Sequence, residues 1–114
     1  PLPAPGVVRS GHAFPAESFR VNGLEAELAF TLARDLPPRA TPYIEADLLA
    51  AIASAHPAIE ILDSRFLDMR TVDPLSALAD FGNHGALVVG PPRATDVRVD
   101  QTRQAVRLEA NGAA

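Results

Sequence analysis

The stretch LEAELAF, residues 24 to 30, restricts the fold more than any other part of this chain. Leu24, Ala26, Leu28 and Phe30 alternate with Glu25, Glu27, Ala29 and, one step on, Thr31. A period of two belongs to a β-strand, with one set of side chains on each face. The pattern predicts a strand over 24–33, ended by Asp35-Leu36-Pro37-Pro38, because proline cannot donate to a sheet ladder. Glu25 and Glu27 then stand side by side on one face of a segment that otherwise reads as buried.

The rest of the chain alternates short strand and helix signals. Residues 1–23 are rich in proline and glycine and read as loop with one or two short strands, Val7-Val8 being an apolar piece. Thr41-Pro42 starts a helix, with threonine as cap and proline in the first turn. Ile44, Leu48, Leu49 and Ile52 carry it on toward His56-Pro57, with His56 near the favourable C-terminal end. Ile44, Leu48 and Ile52 are expected to pack on the sheet and leave Glu45 exposed. AIEILDSRF, 58–66, reads as a second strand with Glu60 on one face, and Asp63 and Arg65 on the other as a structural pair. A short helix is expected from about 74 to 80, with Gly82 near its end. ALVVG, 86–90, is a buried-type strand closed by Pro91-Pro92, and 96–99 and 104–110 read as two more. Asn111-Gly112 is a hairpin-turn signal. Too little chain follows it for a return strand, so either the tail is frayed or, the favoured reading, 1–114 is a single domain cut from something longer.

Composition narrows the chemistry. With 47% apolar residues the 114-residue chain has the material for a core. A net charge of −4 argues against nucleic acid or an anionic membrane as partner. All ten basic residues are arginine, so no lysine can serve as base or Schiff-base former. The absence of cysteine removes disulfides, thiolate zinc sites and cysteine nucleophiles, and fits a cytoplasmic protein. No run approaches the roughly 18 apolar residues of a membrane span.

Glu25, Glu27 and Glu60 each lie within an apolar strand, where glutamate is depleted. Singly, each is more often a side chain facing water. If the two strands converge, three anions meet, and either a proton or a cation must relieve them. A hard divalent ion with oxygen ligands does so and keeps positions for water or substrate. The histidines His12, His56 and His84 are scattered and form no HExxH-type zinc motif. His84, in FGNHG, is more often a solvated turn than a pocket residue. No serine has a nucleophile-elbow context.

LEAELAF, then HPAIEILDSRF, then ALADFGNHGALVVG together resemble the 2-keto-4-pentenoate hydratase and 4-oxalocrotonate decarboxylase group of the fumarylacetoacetate hydrolase superfamily. The resemblance runs from about Leu24 to Gly90, and more loosely through VRLEANG. It implies a mixed α/β, strand-rich fold, the central part of a fumarylacetoacetase-like β-roll with flanking helices. It implies Mg2+ or Mn2+ held by Glu25, Glu27 and Glu60, and a homo-oligomer. Asp80, Asn83 and His84 fall in its substrate-pocket segment. The implied reaction is addition of water to a 2-hydroxydienoate, a form of a small 2-oxo acid, in aromatic degradation. Decarboxylation or acylpyruvate hydrolysis on the same scaffold is the near alternative, and a non-catalytic module assembling with a partner subunit the distant one. Two departures stand out: Phe81 follows Asp80 where the family has asparagine, and the family's upstream catalytic lysine has no counterpart here.

Overall fold

Among the described residues, four strands hydrogen-bond into one mixed sheet, in the order β1-β4-β3-β2. The computed structural model describes residues 6–21, 23–93 and 103–113. Its elements in chain order are β1 Val7–Arg9, β2 Gly23–Leu32, α1 Glu45–Leu49, β3 Ile52–Leu62, α2 Pro74–Ala79 and β4 His84–Val89. A short 3-10 turn, Met69–Thr71, precedes α2. β1 runs parallel to β4, and β4–β3 and β3–β2 are antiparallel. The fold is therefore a small mixed α/β domain with few helices. No helix among the described residues is long and apolar enough to cross a membrane.

β2 forms as its alternation requires, but its partner is longer than the sequence suggests. The helix expected from 41 to about 55 is only five residues long, and its N-cap is Ile44 rather than Thr41. From Ile52 the chain is strand, so His56 lies within β3 and not at a helix end. The reason is the ladder: Leu32, Thr31, Phe30 and Ala29 pair with Ile52, Ser54, Ala55 and His56. A ten-residue strand leaves many backbone groups to satisfy, and Pro57 blocks a helix from running through this region. Tertiary pairing thus overrides local helical spacing. Ile44 and Leu48 stay exposed instead of packing on the sheet.

α2 forms over Pro74–Ala79, close to the expected 74–80. Asp73 caps it, accepting from Leu75 N and Ser76 N at 3.1 Å each, and Pro74 occupies the first turn. The turn after it is left-handed at three successive residues, Phe81 (φ 57), Gly82 (φ 66) and Asn83 (φ 65). Such a conformation costs a non-glycine residue roughly 1–2 kcal/mol, so the surroundings must hold it. Asn111 and Gly112, with φ of 53 and 81, form the expected tight turn, and Ala110 and Ala113 exchange two backbone hydrogen bonds. No strand precedes that turn over 104–109; the strand expected at 96–99 lies outside the described residues.

Among the described residues the buried apolar set is small: Ala51, Ala58, Ile61 and Ala86. Beside it, among the same described residues, sit the buried polar Ser64, Asp80 and His84. That polar share directs attention to the end of the sheet where β3 meets β4.

Candidate functional site

Glu25 stands directly opposite Glu60 across the β2–β3 ladder, and Glu27 lies one pleat along from Glu25. All three therefore share one sheet face. One carboxylate oxygen from each lies within 4.8 Å of the others. Glu25 and Glu27 are exposed and Glu60 is half-buried. Like charges directly opposite in a ladder are destabilising, so the arrangement carries a cost that a cation would remove. The donor set is three carboxylates, the hard oxygen ligands that magnesium, manganese and calcium take. At about 2.1 Å from magnesium, two opposite ligands stand about 4.2 Å apart. The three oxygens lie within 4.8 Å of one another, a separation on the scale of such a site, and the exposed Glu25 and Glu27 side chains can adjust to an ion.

His84 completes this end of the face. It is not a solvated turn residue: it opens β4 and is only 2% exposed. Its Nδ1 lies 2.6 Å from Glu60 Oε1 and donates to it. The segment after β3 frames it. Ser64 Oγ donates to Asp80 Oδ2 at 2.8 Å, and Arg65 N donates to the same oxygen at 3.1 Å. The Arg65 guanidinium forms an ion pair with Asp80 and also donates to the Asp80 carbonyl. Its Nη1 donates to the His84 carbonyl at 3.0 Å. Burial alone would push the Asp80 carboxyl up, but the Ser64 and Arg65 hydrogen bonds and the Arg65 charge outweigh it and hold the group below its ordinary 3.8. The expected Asp63–Arg65 pair does not form. Asp63 instead accepts from Arg20 N at 2.8 Å, and Arg65 reaches across to Asp80 because the strand ends at Leu62 and the chain turns.

The three residues of the expected pocket segment thus have different places. Asp80 is committed to the Ser64–Arg65 network. Asn83 lies in the left-handed turn, its carbonyl accepting from Asp63 N at 2.8 Å and its N–H donating to the Asp80 carbonyl at 3.1 Å. Only His84 is hydrogen-bonded to a residue of the glutamate cluster. An open surface hollow of about 450 Å3 lies elsewhere, lined by residues that include Arg20, Phe66, Leu67 and Arg70 and by none of the three glutamates.

Further along the same face, Ser54 and His56 lie on β3 opposite Thr31 and Ala29. His56 Nδ1 donates to the Gly90 carbonyl at 2.9 Å, beside Pro57, which has no N–H to offer. Its Nε2 is 2.8 Å from Ser54 Oγ and 3.2 Å from Thr31 Oγ1. Sequence alternation contains this polar row only once β3 is known to begin at Ile52. No protein-family model matches the chain, and no curated protein matches its sequence.

Proposed function

We propose that Glu25, Glu27 and Glu60 bind a Mg2+ or Mn2+ ion, and that the chain is part of a metal-dependent hydratase of 2-hydroxydienoates. The observation that carries the metal half is the meeting of three glutamates from two strands on one face. The reaction half is supported by the motif run LEAELAF, HPAIEILDSRF and ALADFGNHGALVVG, which resembles the hydratase–decarboxylase group of the fumarylacetoacetate hydrolase superfamily. On that reading the four-stranded sheet is the centre of a fumarylacetoacetase-like β-roll. When bound, the ion supplies a Lewis acid to a chelating 2-oxo acid. The chain's own part is to hold three oxygens at the end of a rigid sheet and to anchor Glu60 through His84.

The test is consumption of 2-hydroxypenta-2,4-dienoate, followed by loss of its ultraviolet absorbance, with Mg2+ and with chelator. Consumption that requires Mg2+ and is abolished by Glu27→Gln supports the reading. Consumption unaffected by chelator overturns it. A second reading, a module that binds metal and assembles with a partner subunit without turnover, is favoured by Leu24, Leu28 and Leu32, which stay exposed on the outer strand β2. Metal binding with no consumption selects that reading.

A further inference from the structure

We infer that His84 is the positioning residue of the glutamate site, aimed at Glu60 by a β-bulge at Gly85. The inference rests on the cation-binding reading above.

The β3–β4 register sets the geometry. Glu60 pairs with Leu87 and Ile61 with Ala86, but Leu62 pairs with His84, so Gly85 is the extra residue. Without the bulge, His84 would stand three residues from Leu87 and point to the opposite face. With it, His84 joins Glu60 and Leu62 on one face. Bulges re-aim side chains in this way. Only glycine fits at the bulge: a Cβ on Gly85 would lie 2.8 Å from the Ile61 carbonyl oxygen and 2.9 Å from Asp63 Cβ.

Packing does not account for a histidine at this position. Nε2 is buried and has no hydrogen-bond partner among the described residues. It faces the backbone at Gly6, where a Cβ would come within 3.2 Å of it. Burying an unpaired nitrogen costs free energy that an apolar side chain of the same size would avoid. Among the described residues, the polar interaction the ring makes is with Glu60. With Oε1 engaged, Glu60 is held in one orientation and its other oxygen would be available to an ion. Glu25 and Glu27, exposed, supply the adjustable part of the site. Outer partners of this kind orient metal ligands, and losing one commonly lowers affinity 10–100-fold.

The experiment measures Mn2+ affinity of the full chain by water-proton relaxation for wild type, His84→Leu, His84→Asn and His84→Gln, with melting in chelator alongside. Asparagine places its amide nitrogen near the Nδ1 position, whereas glutamine places it near Nε2. His84→Leu is expected to bind about 10–100-fold more weakly, His84→Gln to weaken similarly, and His84→Asn to keep most of the affinity. If His84→Leu fails to fold, the asparagine–glutamine comparison decides. Equal Mn2+ affinity in the folded variants overturns the role of His84 while leaving the metal site standing. No Mn2+ binding by wild type overturns the cation reading itself, and the inference with it.

Discussion

Gly85→Ala is the smallest change that probes how the site is held. The added methyl would lie 2.8 Å from a backbone oxygen and 2.9 Å from Asp63 Cβ, with Phe19 Cδ1 at 3.1 Å. Two of these neighbours are backbone or attached directly to it, so neither moves aside as a flexible side-chain end would. Forcing a methylene-sized group into packed structure costs about 1–3 kcal/mol. For a domain of this length each kcal/mol lowers the melting midpoint by about 4–8 °C, so a fall of about 5–20 °C is expected. The strain can also be relieved by straightening the bulge, which turns His84 to the other face and removes the donor from Glu60. Thermal melting followed by circular dichroism measures the first effect. Mn2+ titration of the folded variant measures the second, and affinity should fall. A midpoint within about 1 °C of wild type, with unchanged Mn2+ affinity, would falsify the bulge argument.

Three further outcomes are expected. Asp80 has its carboxyl held below the ordinary 3.8, so its contribution to stability is complete above that value and is lost as pH falls through the lower folded-state value. Asp80→Asn should therefore flatten the acid limb of a plot of melting midpoint against pH below about 4, and an unchanged limb would contradict the assignment. Ile61→Ala, which removes a large side chain only 9% exposed, should cost about 2–4 kcal/mol in urea denaturation, whereas Leu67→Ala, fully exposed, should stay within about 0.5 kcal/mol; equal losses would show that the core has been misplaced. Glu27→Gln in metal-free protein should be neutral or stabilising by up to about 1 kcal/mol, the repulsion of two charges near 4 Å in water. With saturating Mg2+ the order should reverse, and parallel melting curves would count against the cluster.

What the sequence shows of this molecule follows from how local each signal is. The alternation of Glu25, Glu27 and Thr31, the short helix from Pro74 and the Asn111-Gly112 turn each depend on a few adjacent residues, and each is readable. The start of β3 is not, because Ile44, Leu48, Leu49 and Ile52 have true helical spacing. Only the pairing of Ile52 to Pro57 with β2, a contact distant along the chain, turns the second half into strand. The meeting of Glu60 with Glu25 was inferable as a condition, if the strands converge, and the register meets it. The burial of His84 is hidden in the sequence for a different reason. A bulge shifts facing by one residue without changing composition, and FGNHG contains nothing that distinguishes a bulged strand start from a solvated turn. The pairing of Arg65 with Asp80 rather than Asp63 likewise depends on where the chain leaves the sheet.

The central claim is that three carboxylates from β2 and β3 form one divalent-cation site. Mn2+ binding by the wild-type chain, compared with Glu25→Gln, Glu27→Gln and Glu60→Gln, tests it most directly by isothermal titration. One ion per chain, displaced by Mg2+ and weakened by each of the three substitutions, is the expected result. Binding that survives all three substitutions unchanged, or no binding by the wild type, would contradict it.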